Sequence, residues 1–435
     1  MSFFRPLDAE ADARDFRSGA RDPSDRIREV CDRIDRVEPE IHALLPEPGR
    51  RERLVAEARA LAGRYPEPAN RPALYGLLVG VKDIFNADGF PTRAGSRLPP
   101  RELGGQESQA LGALKAAGAL VLGKTVTTEF AFFAPGPTRN PWDPRRTPGG
   151  SSSGSAAGTA AGFFHLALGT QTIGSISRPA AYCGVAGWKP SYGRVSAAGV
   201  FPFSPSVDHI GLLAPDTRAL ALGAAAACGG WKGLPASVPR PVLAVPEGPY
   251  LDQASPEARE RFERTAAALA AAGWKVLRVP AFRDIARINA RHRRIAAAEM
   301  DRTHARLFPL YEALYAPATR DLILEGRKVS DEALAADREG RFALRRELEE
   351  ALAAAEADLW ISPSAPGPAP EGLDSTGSPG MNLPWTHAGL PTLSLPAGAF
   401  PNGLPAGLQI AARFGRDEDL LRFGIDLEPS LNTDS

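Results

Sequence analysis

Three residues of this chain could do chemistry together with no histidine among them. One is Lys82, in the run GLLVGVKD (Gly76 to Asp83). The others are two glycine-framed serines. Ser151 opens the triple serine of TPGGSSSGSAAG (Thr147 to Gly158), and Ser175 lies in LGTQTIGSISRPA (Leu168 to Ala180). A serine hydroxyl is a weak nucleophile until a base takes its proton. A lysine can be that base only when neutral, which requires desolvation or nearby positive dipoles. Leu77, Leu78, Val79 and Val81 give Lys82 an apolar setting of that kind. Ser151 could then carry the proton between Lys82 and Ser175. The run Thr172-Ile173-Gly174-Ser175 offers successive backbone N–H groups to a developing oxyanion, commonly the largest single catalytic contribution. Gly174 lets the backbone approach a substrate closely.

Other readings of these stretches fit less well. Gly118 to Thr125 matches GxxxxGK[ST], the phosphate-binding loop. That loop must turn its N–H groups outward, yet its middle residues here are Ala, Leu, Val and Leu, which favour a buried strand. The threonines that follow also disfavour the helix the motif needs. The expectation is a strand ending in a solvated lysine, Lys124. Gly150 to Gly154 matches GxSxG around Ser152, but a nucleophile elbow needs a strand just before it, and Thr147-Pro148-Gly149 reads as a loop. The adjacent pair Asp208-His209 supplies the types of its triad partners, but side chains adjacent in sequence rarely serve one triad. A flexible Gly/Ser linker is the blandest alternative, but it would not run into AAGTAAGFF and a strand.

The elements that must position these residues follow from periodicity. Ile27, Val30, Ile34 and Val37 predict a helix within 23–44, and a second covers 51–64. A strand is expected over 75–81, a helix over 106–117, a strand over 119–122 and a loop over 134–154. A small-residue helix follows over 155–162, then a strand over 166–168. Residues 216–228 read as a helix capped by Asp216. Strands over 242–245 and 275–279 flank a helix over 256–272. Residues 283–357 are mostly helical, and strands return over 358–362, 393–395 and 408–411. Strands alternating with helices predict an α/β fold with a largely parallel or mixed sheet.

Bulk properties narrow the function classes. The 435 residues suit one large domain or two ordinary ones, and no linker clearly divides them. Fifty-one basic residues balance 51 acidic ones, so no electrostatic field attracts nucleic acid. No run reaches the roughly 18 apolar residues of a membrane span. The N-terminus has no apolar core of a secretory signal. Cys31, Cys183 and Cys228 are odd in number and far apart, which predicts a reducing, cytoplasmic setting and a buried, inert Cys183. His165, His209 and His387 have no metal-ligand spacing.

Together the segments resemble the amidase signature family. The matching stretches are GLLVGVKD, GPTRNPWDP (Gly136 to Pro144), TPGGSSSGSAAG and GTQTIGSISRPAAYCGVAGWKPSYGRVS (Gly169 to Ser196). SPSVDHIGLLA (Ser204 to Ala214), DLWISPSAPGPAP (Asp358 to Pro370), NLPWTHAGLPTLSLPAG (Asn382 to Gly398) and GLPAGLQI (Gly403 to Ile410) follow in order. The likeness runs from about residue 75 to the C-terminus and is weakest across 283–357. It implies a single α/β/α domain around a large mixed sheet, spanning 1–435. N-terminal helices would cover 1–70, the catalytic core 75–230, and a cap or partner surface 283–357. It implies Lys82 as base, Ser151 as relay with an unusual cis peptide, and Ser175 as the acyl-forming nucleophile. The oxyanion hole would be the backbone of Thr172, Ile173, Gly174 and Ser175. No metal or cofactor is implied.

One segment departs from the family's common GTDTGGSIR-x-P pattern. Gln171 stands for Asp, Ile173 for the first Gly of the pair and Ser177 for Arg, while a new guanidinium appears at Arg178. This is similar to a malonamidase-type branch, in which an arginine three residues after the nucleophile holds a substrate carboxylate bidentately. The other partner open to Arg178 is a protein acid such as Glu129 or Asp208. Thr170 and Gln171 are further expected substrate contacts, and Asn382, Trp385 and Thr386 stand where the family closes its cleft. Phe130, Phe132 and Phe133 suit either an acyl pocket or the core. The expected activity is hydrolysis of a small amide, carboxylate-bearing in that branch, with ammonia or an amine released. The substrate would be a small molecule, with no nucleic acid or membrane as partner and a homodimer as the assembly open to it. The alternatives are the amidase subunit of a tRNA-dependent amidotransferase, a noncatalytic scaffold of the same fold, and the nucleotide binder.

Overall fold

Alternation along the strands decides where each side chain goes. In Leu78–Lys82 (β1), Val79 and Val81 enter one core and Leu78 the other. Leu166–Gln171 (β3) sends Leu166 and Leu168 one way and Ala167 the other, following the period of two of a pleated strand. Both faces are therefore buried, and these strands read as continuous apolar runs. The computed structural model describes residues 2–236 and 238–431.

The remaining strands are Leu120–Thr125 (β2), Ala186–Lys189 (β4), His209–Ala214 (β5), Leu243–Glu247 (β6), Val276–Pro280 (β7), Leu359–Pro363 (β8), Thr392–Ala399 (β9) and Pro405–Ala411 (β10). Among the described residues these ten strands form one mixed sheet in the order β2-β1-β3-β5-β4-β9-β10-β8-β6-β7. β1 is parallel to β2 and β3, and β6 is parallel to β7 and β8. The pairings from β3 through β5, β4, β9 and β10 to β8 are antiparallel.

Helices cover the two faces. The first core holds side chains of Thr217–Ala227 and Asp417–Leu431. The second holds those of Pro23–Ile41, Arg50–Arg64 and Ser153–Ala160. Ser153–Ala160 is made of small residues because it lies against its neighbours with almost no gap. A Cβ added at Gly154 would stand 2.1 Å from the Ala43 carbonyl oxygen, and one at Gly158 2.4 Å from the Phe164 ring. The Asp216 carboxylate caps Thr217–Ala227 by accepting from the Ala219 N–H at 2.8 Å.

The structure corrects several expectations. The strand read over 119–122 continues through Gly123, Lys124 and Thr125, pairing along β1. Lys124 is not solvated: its Nζ lies 2.9 Å from Asp83 Oδ1 and donates to the Phe85 carbonyl at 2.8 Å, both inside the protein. β4, β5 and the helix Ala9–Ser18 were not expected. The block 283–357 is helical, chiefly in Ile285–His304, Pro317–Gly326 and Asp331–Ala354.

Candidate active site

Lys82 is the last residue of β1 and is completely buried. Its Nζ lies 2.7 Å from Ser151 Oγ, 2.7 Å from Thr170 Oγ1 and 3.1 Å from Ser152 Oγ. No carboxylate pairs with it among the described residues. Burial drives its pKa well below the usual lysine value, and the more distant Asp208 charge opposes this. A neutral amine has two N–H donors and one lone pair, so three hydroxyls can satisfy it, one of them as donor.

Ser151 follows Gly150 through a cis peptide bond. It sits just before Ser153–Ala160, whose small residues bring that end of the helix close to β2. The Gly154 N–H donates to the Val126 carbonyl at 2.9 Å. Ser152, set aside as an elbow nucleophile, belongs to the cradle of the lysine. Its Oγ also accepts from the Thr170 N–H at 3.3 Å.

Thr172 to Ser175 leave the end of β3 as an irregular turn. Their four carbonyls are all engaged. Thr172 O accepts from His292 Nε2 at 2.9 Å, and Ile173 O from Thr386 Oγ1 at 2.8 Å. Gly174 O accepts from the Arg178 N–H at 3.0 Å, and Ser175 O from the Ser152 N–H at 3.3 Å. Their four N–H groups have no protein acceptor among the described residues. That polarity suits an incoming negative oxygen. Gly174 is required by packing as well, since a Cβ there would stand 2.6 Å from Asn382 Oδ1. The Ser175 hydroxyl makes no hydrogen bond among the described residues, and Ser175 is the most accessible of the three serines and lysine in question, at 6%.

Neighbouring groups hold this turn. Asp208 accepts from Thr172 Oγ1 at 2.6 Å and from the Phe203 and Ser204 N–H groups. Gln171, expected as a substrate contact, has its amide engaged inside the protein. Its Oε1 accepts from the Ile176 and Ser177 N–H groups, and its Nε2 donates to Thr386 Oγ1. Thr170, also expected to meet substrate, bonds Lys82 instead. Thr386 braces Ile173, and Asn382 Nδ2 donates to Ser364 O and Gln409 Oε1. Trp385 is buried and donates to Tyr250 Oη.

Arg178 pairs with neither Glu129 nor Asp208. Its guanidinium donates to Gly150 O at 2.7 Å, Thr376 Oγ1 at 3.0 Å and Gly377 O at 2.8 Å. Burial lowers its pKa to about 10, so it remains a cation at neutral pH. Glu129 accepts from Thr319 Oγ1 and the Ala316 N–H.

Sequence reasoning did not find Asp208 or His292 as supports of the turn. His292 arrives from a helix more than a hundred residues downstream, and no local pattern marks it. His292 and His387 are neutral, with pKa values lowered by burial to about 4 and about 2. With His292 Nε2 donating to Thr172 O, its Nδ1 accepts from His387 Nδ1 at 3.3 Å. Among the described residues no group of His, Cys, Asp and Glu is arranged to hold a metal ion. Cys183 is buried, which pushes its thiol pKa far up. Phe130 belongs to the core, while Phe132 and Phe133 line a cavity beside Ile173.

Comparison with known proteins agrees with this architecture. The family model described as Amidase matches residues 25–421. A glutamyl-tRNA(Gln) amidotransferase subunit from Thermus thermophilus is 34% identical, over 94% of this chain and 94% of that protein. A crystal structure of an amidase superposes with a TM-score of 0.89 at 32% identity, covering 98% of this chain and 100% of that one. The peptide amidase of Stenotrophomonas maltophilia superposes with a TM-score of 0.81 at 25% identity, covering 97% and 96% of the two chains. The chain belongs to the amidase signature family.

Proposed function

We propose that this chain hydrolyses a small carboxamide through an acyl-Ser175 intermediate. The observation that carries the reading is a buried lysine with no counter-ion among the described residues, surrounded by three hydroxyls and set beside a serine-bearing turn whose N–H groups have no acceptor among those residues. Ser175 Oγ attacks the amide carbon. Its proton passes to Ser151 Oγ, and the proton of Ser151 passes to the neutral Lys82 Nζ. The negative oxygen of the tetrahedral adduct is held by the N–H groups of Thr172 to Ser175. The C–N bond then breaks, and the departing nitrogen takes the proton back from Lys82 by way of Ser151. Water attacks the acyl ester by the same route in reverse and releases the acid.

Within this reading Arg178 is a brace and not the reader of a substrate carboxylate. Three of its hydrogen bonds already tie the carbonyl before the cis peptide to the segment around Thr376 and Gly377. Ser175→Ala should reduce ammonia release from small primary amides to background while leaving the fold intact. Retained turnover in that variant would sink the assignment.

A second reading is favoured by the curated relatives, of which the Thermus thermophilus protein belongs to an amidotransferase. In that reading the same half-reaction acts on glutamine and the ammonia serves a partner. Glutamine hydrolysis that rises on adding an amidotransferase partner would support it. Ammonia release from simple amides by the isolated chain supports the first.

A further inference from the structure

The carbonyls of Thr172 to Ser175 are all tied to the protein, and each tie fixes more than an oxygen. A trans peptide is planar, so its C=O and the N–H of the next residue point opposite ways. The cis bond among the described residues is Gly150-Ser151, and the peptides of this turn are trans. Holding Thr172 O therefore aims the Ile173 N–H, and holding Ile173 O aims the Gly174 N–H. Gly174 O, tied to the Arg178 N–H, aims the Ser175 N–H in the same way. None of these three N–H groups has an acceptor among the described residues. The pattern stops at the next peptide, where the Ile176 N–H is spent on Gln171 Oε1 at 2.8 Å.

The side chains that hold the first two planes come from distant parts of the chain. His292, buried in Ile285–His304, places Nε2 2.9 Å from Thr172 O. A carbonyl oxygen only accepts, so Nε2 carries the hydrogen of the neutral ring. Nδ1 is then an acceptor, 3.3 Å from His387 Nδ1, and the second histidine fixes the tautomer of the first. Thr386 Oγ1 accepts from Gln171 Nε2 and lies 2.8 Å from Ile173 O, with the Asn382 carbonyl farther off at 3.1 Å. Thr386 and His387 are neighbours in Leu383–Ala388, so one short helix supports both planes. A donor on a peptide carbonyl also polarises that peptide and strengthens its N–H.

Resting on the proposed amidase reading, we infer that His292 and Thr386 are positioning residues of the oxyanion hole, His292 for the Ile173 N–H and Thr386 for the Gly174 N–H, with His387 setting the His292 tautomer. Each acts through a backbone N–H. An interaction that strengthens only as the substrate oxygen turns negative appears in kcat and not in KM. His292 also lines the cavity beside Ile173, and a role confined to shaping that cavity would appear in KM instead.

The test uses the best cleaved amide of a series from acetamide to hexanamide, together with n-butylboronic acid. The boronic acid bonds to Ser175 Oγ, the hydroxyl proton passes to Lys82 by way of Ser151, and boron becomes a tetrahedral anion resembling the adduct. His292→Phe keeps a ring without a donor, and Thr386→Val keeps the shape without a hydroxyl. Each should lower kcat about ten- to hundredfold, weaken boronate binding by a similar factor and leave KM within about twofold. His292→Gln and Thr386→Ser, which keep a donor, should recover most of both losses. Thermal melts establish which variants fold, and either pair carries the test if the other does not. Unchanged kcat, a change confined to KM, unchanged boronate affinity, or no recovery in the donor-keeping variants would overturn the inference while the amidase reading stands. Where only one probe engages the wild type, its readout alone decides. If the wild type cleaves no amide and gives no Ser175-dependent tetrahedral signal by boron NMR, the amidase reading falls and takes the inference with it.

Discussion

At the scale of single residues, the protonation state of Lys82 decides what the site can do. A charged lysine could only hold hydroxyls, whereas a neutral one can take a proton from them. Its lowered pKa has a consequence for stability. Between its lowered folded pKa and the ordinary lysine value, the unfolded chain binds more proton at this position than the folded chain, so burial of Lys82 opposes folding. That opposition fades as pH rises toward the ordinary lysine pKa. Lys82→Met should therefore raise Tm at pH 7 by roughly 2–4 °C while removing activity, and the gap should narrow toward pH 10. Calorimetry across that range checks it, and a gap that widens with pH would contradict the neutral lysine. That Lys82 and Ser151 lie together, 2.7 Å apart, was legible because their residue types and glycine framing are unusual. The duties of Thr170 and Gln171 were not, because a polar residue at a strand end reads the same whether it meets substrate or braces a turn. Only the fold shows that Gln171 Oε1 serves two backbone N–H groups.

At the scale of elements, the site depends on small residues and helix ties. The helix Ser153–Ala160 was readable because its composition admits little but close packing. The short strand β4, AGWK, was not, since four residues carry too little alternation, and β5 mixes histidine and glycine into its run. Lys124 was misjudged for a related reason. The strand reading was right, but its end lies under the loop that carries Asp83. Another tie links two distant helices. Glu428 in Asp417–Leu431 accepts from the Thr217 N–H at 3.0 Å and Thr217 Oγ1 at 2.8 Å. Burial raises its pKa to about 7 from 4.5. The stability tied to its proton is full below about pH 4.5 and is lost as pH rises to about 7, on the order of 1–3 kcal/mol. Glu428→Gln keeps the accepting oxygen without the titration. The Tm of that variant relative to wild type should therefore grow between pH 5 and pH 8, as thermal scans would show. A constant difference would mean that Glu428 does not titrate in this range.

At the scale of the whole molecule, one sheet buried on both faces holds the ends of β1 and β3 side by side, and this places Lys82 against Thr170. The serine loop enters from one face and the turn after β3 closes over it. The helices Ile285–His304 and Pro317–Gly326 help wall the space beyond the turn. The α/β class was legible from alternating strands and helices, but the strand order was not, because antiparallel insertion of β5, β4 and β9 leaves no local trace. The central claim is that Lys82 activates Ser175 through Ser151. Its most direct test is peptide mapping by mass spectrometry after brief treatment with a sulfonyl fluoride. A single adduct is expected on Ser175 in the wild type and none in folded Lys82→Met. An adduct on another serine, or undiminished labelling of Ser175 in Lys82→Met, would contradict it.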